Sequence, residues 1–190
     1  MPRVAPIFGG VISRPGRSGD ERRWLPMTPD FEVFDVLSRH GVPYVVVGGH
    51  AVNFHGFIRA TEDTDVLWIR SPAAEASLLR ALEEMSAEYI GNEIDPATGI
   101  ERTHPVTASF IRSERLMMLC TTAGFLDLFD YVPGYPTAAV ATVWETAVQL
   151  DGIRFASLDW LRKLKRAAGR PKDLLDLENL PAAAGEPTDR

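Results

Sequence analysis

The feature that most constrains the fold is a β-branched run that ends abruptly at two glycines. Tyr44 to Val47 reads Tyr-Val-Val-Val, which is typical of a buried strand, and Gly48-Gly49 follows at once. A short helix is predicted from His50 to His55. A turn of this kind brings bare backbone N–H groups to a helix N-terminus, where anions and above all phosphates bind. The alternative interpretation is a tight turn that needs a positive φ.

The remaining elements alternate between helical and strand patterns. Thr28 and Pro29 are expected to open a first helix that ends near Gly41. Later helices are predicted over residues 72–86, 137–143, 157–168 and 171–180, strands over 64–69, 106–112, 116–121 and 125–131, a loop over 92–99 and a hairpin over 147–155. This order predicts an α/β (α+β) fold, with a mixed β-sheet flanked by helices and a helical C-terminal piece.

Length and composition set the domain organisation and exclude several classes of protein. The chain has 190 residues, which suits one domain. We expect a flexible leader over residues 1–26, the folded domain over 27–180 and a disordered tail over 181–190. A net charge of −6 argues against broad, non-specific binding of nucleic acid. The single cysteine excludes an internal disulfide, and no apolar run has the length of a membrane span, so we expect a cytoplasmic location.

Two acidic residues begin the second predicted strand. Asp63 and Asp65 point to the same face because side chains alternate along a strand. Two carboxylates this close repel each other, and a bound divalent cation such as Mg²⁺ removes that penalty. Asp127 is a lone acid between apolar neighbours on a later strand, and it completes a cluster if the two strands are adjacent. The alternatives are a solvated strand end for the first two and a water-facing position for Asp127.

Two segments of the chain carry a resemblance to a known family. Val45 to Gly49 reads Val-Val-Val-Gly-Gly, and Arg59 to Asp65 fits the pattern R-x-T-x-D-x-D. These segments resemble the signature of the DNA polymerase β-like nucleotidyltransferase superfamily. Lys165 to Asp173, which reads Lys-Arg-Ala-Ala-Gly-Arg-Pro-Lys-Asp, is similar to the closing segment of small bacterial nucleotidyltransferases related to AbiEii-type toxins. The two matches bracket most of the chain between residues 28 and 180.

The resemblance implies a role for each matching residue. Asp63, Asp65 and Asp127 would hold Mg²⁺ and act in catalysis, with Asp127 helping to deprotonate the attacking hydroxyl. The implied nucleotide-binding residues are Gly48, Gly49, His50, Arg59, Lys165 and Arg170. His50 stands where the superfamily has Ser or Thr, so it either donates to a phosphate or simply fills the turn. The implied reaction moves a nucleoside monophosphate from a nucleoside triphosphate (NTP) to an acceptor hydroxyl.

Three interpretations remain open from the sequence. In the first, the chain is an active, possibly toxin-like nucleotidyltransferase with an antitoxin partner, and its acceptor is an RNA such as tRNA, a protein or a small molecule. In the second, it is a non-catalytic nucleotide-binding or interaction module on the same fold, which the departure at His50 favours. In the third, it is an unrelated α/β protein whose acids lie far apart on the surface.

Overall fold

The structure, a computed structural model, describes residues 29–182. The predicted leader, the Thr28 cap and residues 183–190 of the predicted tail lie outside the described residues. The elements are α1 (Pro29–Arg39), β1 (Tyr44–Val46), α2 (Gly48–Phe54), β2 (Asp63–Trp68), α3 (Pro72–Glu84), β3 (Glu88–Ile94), β4 (Glu101–Pro105), α4 (Ala108–Ser113), β5 (Leu116–Thr121), β6 (Gly124–Phe129), α5 (Val140–Glu145), β7 (Val148–Leu150), β8 (Ile153–Phe155), α6 (Leu158–Ala168) and α7 (Pro171–Asn179).

The described strands form one mixed sheet in the order β4-β3-β5-β6-β2-β1-β8-β7. Neighbouring strands are antiparallel except at two places, where β2 pairs with β6 and β1 pairs with β8 in parallel. The two parallel pairs join strands that are distant in sequence. The predicted fold class, a mixed sheet flanked by helices with a helical C-terminal piece, is therefore confirmed.

Apolar side chains cover the two faces of the sheet differently. On one face, α1, α3 and α4 pack over β1, β2, β5 and β6 in the larger of two buried clusters, which includes Phe34, Leu78 and Trp68. On the other face, the smaller cluster joins β1 and β2 to α5 and to the start of α6 through residues such as Val45 and Val143. The second cluster covers only part of its face, and the candidate site lies where that cover ends.

The middle of the chain differs from the expectation in two places. The predicted strand over 106–112 is wrong, because the Thr107 hydroxyl accepts a hydrogen bond from the Phe110 amide and begins α4. The ring of Phe110 then stacks on Tyr89 at 4.1 Å between centroids. The predicted loop over 92–99 is also partly wrong, since β3 continues to Ile94 and pairs with β4.

Most of the last third of the chain agrees with the expectation, although α5 begins at Val140, three residues later than the helix predicted over 137–143. The predicted hairpin is confirmed, with β7 and β8 joined through Asp151 and Gly152, both of which have positive φ. Helix α6 ends at Gly169 in the left-handed conformation, with φ of 61°. Helix α7 begins directly after it, at Pro171. Within residues 29–182, no helix combines the length and the apolar character that crossing a membrane requires.

Candidate active site

The register of the central strands brings the three aspartates together. Asp65 on β2 lies directly opposite Asp127 on β6, and Asp63 lies opposite Phe125. Residues opposite each other in a sheet share a face, so all three carboxylates project to the same side. Each offers one oxygen, and these oxygens all lie within 4.8 Å of one another. The structure therefore brings the predicted cluster together and contradicts the interpretation in which these acids lie far apart.

Burial and mutual repulsion shift the protonation of two of these acids. Burial raises the pKa of Asp65, and the charge of Asp63 raises it further, while Lys165, Arg170 and Lys172 act in the opposite direction. The pKa of Asp127 is raised to about 6, first by burial and then by the charges of Asp65 and Asp63. Oxygen ligands held this close in a partly buried place suit a divalent cation, which offsets their repulsion.

The two glycines allow backbone and carboxylate to approach each other closely. Gly48 has φ of +59°, and a Cβ atom there would lie 1.9 Å from Oδ2 of Asp65. A Cβ atom on Gly49 would lie 2.3 Å from Oγ1 of Thr61. Both glycines belong to the first turn of α2, so the helix begins two residues earlier than predicted, at Gly48 instead of His50. The glycine pair is thus required by the packing of the acidic segment against this turn.

A cavity of about 380 Å³ opens beside the aspartates. This volume is within the usual range for small-molecule sites, roughly 300–1,000 Å³. Its walls hold eight of the nine residues that the sequence assigned to the site, namely Gly48, Gly49, Arg59, Asp63, Asp65, Asp127, Lys165 and Arg170.

His50 is the ninth residue, and its side chain lies elsewhere. It is on the wall of a second cavity of about 630 Å³, lined by phenylalanines of α1, α2 and β8. Its ring packs edge-on against Phe34, with centroids 5.6 Å apart, and Nε2 lies 3.5 Å from Oγ1 of Thr64. Of the two roles left open for His50, this placement favours filling the turn over binding a phosphate.

A network of ion pairs forms the basic wall of the cavity. Asp176 of α7 is fully buried and accepts hydrogen bonds from Nε and Nη2 of Arg59 at 2.6 and 2.8 Å. Lys165 of α6 is also buried, and its Nζ lies 2.8 Å from Asp176 and 2.9 Å from Asp173. Arg170 pairs with Asp173 at 2.7 Å. The three basic groups that the sequence assigned to the nucleotide are therefore each held by a buried carboxylate.

Asp176 and Lys172 were not predicted as site residues from the sequence. Asp173 and Asp176 are three residues apart on α7, so they lie on one face of the helix. That spacing was the available signal, since two buried acids on one helix face require cationic partners. Lys172 lines the cavity, and its charge lowers the pKa of Asp65 and of Asp127.

Comparisons with known proteins give distant structural similarities. The chain matches no protein-family model and no curated protein. It is similar in structure to the antibiotic-resistance factor ANT(2'')-Ia, with a TM-score of 0.49, 13% identity and 80% of each chain covered. A nucleotidyltransferase-like antigen of Paracoccidioides brasiliensis gives a TM-score of 0.44 and 16% identity, over 80% of this chain and 74% of the other. JHP933 from Helicobacter pylori gives 0.40 and 15%, over 78% and 62%.

The neighbours thus include proteins described as nucleotidyltransferase-like or as a nucleotidyltransferase, at identities far too low to transfer an activity. What this chain can do is therefore inferred from the site itself. Three converging carboxylates, a close glycine turn and a basic wall surround one cavity. Such an arrangement can hold a divalent cation against the acids and a polyanion against the basic wall.

Proposed function

We propose that this chain is a Mg²⁺-dependent nucleotidyltransferase, which moves a nucleoside monophosphate from an NTP to an acceptor hydroxyl. The observation that carries the proposal is the convergence of Asp63, Asp65 and Asp127, whose ligand oxygens lie within 4.8 Å of one another. A triphosphate needs both a divalent cation and basic side chains to offset its charge. The cavity is lined by both kinds of group, namely the carboxylates of β2 and β6 and the basic side chains of Lys165, Arg170 and Lys172.

The three aspartates would hold Mg²⁺, which when bound neutralises triphosphate charge and lowers the pKa of an attacking hydroxyl. Asp127, whose pKa is raised to about 6 in the metal-free protein, would accept the proton of the attacking hydroxyl, as the resemblance implies. Arg170 is more exposed than Arg59 or Lys165, with 60% of its side chain accessible, and it can turn towards a phosphate. Lys165 stays fixed by two carboxylates and supplies positive charge without moving.

These residues do not select among acceptors. RNA such as tRNA, a protein hydroxyl and a small molecule all satisfy the same chemistry. A toxin-like role with an antitoxin partner in a reducing cytoplasm is part of the proposal. It depends on the segment from Lys165 to Asp173, which is similar to the closing segment of the AbiEii-related enzymes.

One observation favours a second candidate, a nucleotide-binding module without catalysis. Arg59 and Lys165 are both paired with Asp176, and His50 lies on the wall of another cavity, so His50 does not stand in at this site for the hydroxyl that usually follows the glycine pair. A module of this kind would bind an NTP and release no pyrophosphate.

The experiment that separates the candidates measures pyrophosphate release with each of the four NTPs. The reaction contains Mg²⁺ and total cellular RNA and protein, and a labelled α-phosphate reports what becomes modified. We expect release with at least one NTP and its loss in Asp65→Asn. Asp159→Asn is the matched control, because its carboxylate is 58% exposed and pairs only with Lys163 among the described ion pairs. NTP binding without release in the wild type would favour the non-catalytic module.

A further inference from the structure

The second cavity, which has His50 on its wall, differs in chemistry from the cavity beside the aspartates. Its volume is about 630 Å³, within the usual range for small-molecule sites, roughly 300–1,000 Å³. The described residues of its wall come from α1, from α2 and the loop that follows it, and from the hairpin of β7 and β8. Asp63, Asp65 and Asp127 are not among them. The proposed nucleotide chemistry therefore leaves this second cavity without a role.

Four phenylalanine rings make the wall of the second cavity aromatic. Phe54 of α2 stacks on Phe155 of β8, with 4.3 Å between ring centroids and 2° between ring planes. Phe34 of α1 meets Phe155 edge-on at 6.4 Å, and Phe31 meets Phe34 edge-on at 6.1 Å. Phe31 is nevertheless 45% exposed. Because aromatic rings prefer stacked or edge-on contacts with other rings, this wall favours a flat aromatic molecule over an aliphatic one of the same size.

Asn53 of α2 adds a directed hydrogen-bond donor to the same wall. Its Oδ1 accepts a hydrogen bond from the backbone N–H of Arg59 at 2.9 Å. This bond sets the orientation of the side-chain amide, because the reversed amide would place N–H against N–H. Within residues 29–182, Nδ2 of Asn53 donates no hydrogen bond, and the residue is partly buried. An acceptor atom of a bound molecule would satisfy this donor.

The charged groups of the wall favour a neutral acceptor over an anionic one. The guanidinium group of Arg59 donates to both carboxylate oxygens of the buried Asp176. An anion in the second cavity would have to compete with that ion pair, and breaking a buried pair is strongly destabilising. Asp151, at the turn of the hairpin, adds a negative charge to the wall. A carbonyl oxygen accepts the hydrogen bond of Asn53 without either penalty.

We propose that the second cavity binds a neutral, planar aromatic compound with a carbonyl group, whose rings pack against the phenylalanines and whose carbonyl oxygen accepts a hydrogen bond from Nδ2 of Asn53. The inference goes beyond the proposed function and does not depend on it. Among the described residues, only Arg59 and Thr61 line both cavities. Helix α2 contributes to both, with its glycine turn on the first cavity and its last turn on the second.

The test compares the binding of three small compounds to the full chain by isothermal titration calorimetry. Coumarin is flat, neutral and aromatic, and it has a carbonyl group. The compound 2H-chromene has nearly the same shape without the carbonyl, and octahydrocoumarin keeps the carbonyl without the aromatic ring. We expect coumarin to bind with a Kd of about 1 mM or tighter. We expect 2H-chromene to bind about fivefold more weakly, because one hydrogen bond is lost, and octahydrocoumarin about threefold more weakly, because the ring contacts are lost.

Two substitutions separate the hydrogen bond from the ring contacts. Asn53→Asp keeps the shape of the side chain and the acceptor for the Arg59 N–H, but it removes the donor. It should weaken coumarin binding about fivefold or more and remove the preference for coumarin over 2H-chromene. Phe31→Ala should weaken both compounds alike, about threefold, since it removes only a ring. Thermal unfolding followed by circular dichroism checks that each variant is folded.

Asn92→Asp is the matched control, because Asn92 is exposed on β3, near the end of the sheet opposite to β8. Equal affinities for coumarin and 2H-chromene, or equal effects of Asn53→Asp and Asn92→Asp, would overturn the inference. Absence of coumarin binding to the wild type would also overturn it and would favour a polypeptide occupant of the cavity. Pyrophosphate release tests the proposed function separately, so either proposal can fail while the other stands.

Discussion

Replacing Asp176 with asparagine should destabilise the fold more than any change of a surface charge. The substitution keeps the volume of the side chain and removes the negative charge that holds Arg59 and Lys165. Removing one partner of a buried ion pair costs about 3–5 kcal/mol. The lower end of this range of free energies applies to Asp176→Asn, because Lys165 keeps its pair with Asp173 and 21% of the Arg59 side chain is accessible to water. We therefore expect a loss of about 3 kcal/mol.

Urea unfolding followed by circular dichroism at pH 7 measures this loss directly. In a domain of this size, a loss of about 3 kcal/mol corresponds to a fall in Tm of roughly 6–12 °C. Asp35→Asn is the control, since Asp35 pairs with Arg39 at the surface, where both side chains are more than half exposed. An exposed pair contributes at most about 1 kcal/mol. If Asp176→Asn costs no more than Asp35→Asn, the reasoning about the buried network is refuted.

The same pair of variants has a predictable dependence on pH. Burial raises the pKa of Asp176, but hydrogen bonds from Arg59 and Lys165 outweigh it and hold the pKa below its ordinary value of 3.8. A carboxyl group with a lowered pKa in the folded state stabilises the fold fully above its unfolded pKa, and loses that contribution as the pH falls through the folded value. The difference between wild type and Asp176→Asn should therefore persist down to about pH 4 and shrink below it.

Three further predictions concern the cavity. Because the pKa of Asp127 is raised to about 6, the metal-free protein loses stability as the pH rises through that value. Mg²⁺ should therefore raise Tm more at pH 7.5 than at pH 5. An equal rise in Tm at the two pH values would contradict this. Gly48→Ala should abolish metal binding because its Cβ would lie 1.9 Å from Oδ2 of Asp65. Gly41→Ala is the control, since Gly41 has a similar positive φ and its Cβ would meet no atom of the described residues within 4 Å. That substitution should cost only about 1–2 kcal/mol of backbone strain. Lys172→Ala should weaken NTP binding several-fold in low salt and less at 1 M salt. An NTP affinity that changes with neither the substitution nor the salt concentration would contradict the role of the basic wall in binding NTP.

The local elements around the site could be predicted because their signals are short-range. The β-branched run before Gly48 predicts β1, and the two-residue period predicts that Asp63 and Asp65 share a face. The Asp151-Gly152 pair, which is typical of a tight turn, predicts the last hairpin. Each of these signals lies within fewer than ten consecutive residues, and in these three places the tertiary contacts agree with it.

The remaining features depend on contacts between distant parts of the chain. The alternation over 106–112 favours a strand, but the Thr107 cap and the packing of Phe110 on Tyr89 stabilise a helix instead. The pairing of Asp65 with Asp127 requires the parallel register of β2 and β6, which no local pattern contains. The contact between Arg59 and Asp176 spans 117 positions, so the commitment of Arg59 to an ion pair could not be read from the sequence.

The most direct test of the account is a titration of Mn²⁺ as a spectroscopic substitute for Mg²⁺, with free Mn²⁺ measured by electron paramagnetic resonance. In the presence of an NTP, we expect the wild type and Asp159→Asn to bind Mn²⁺ equally and Asp127→Asn to bind it at least tenfold more weakly. Asp127 is the informative position because it is distant in sequence from Asp63 and Asp65 and meets them only through the sheet register. Equal Mn²⁺ affinity in Asp127→Asn and the wild type would contradict the claim that the three aspartates form one metal site.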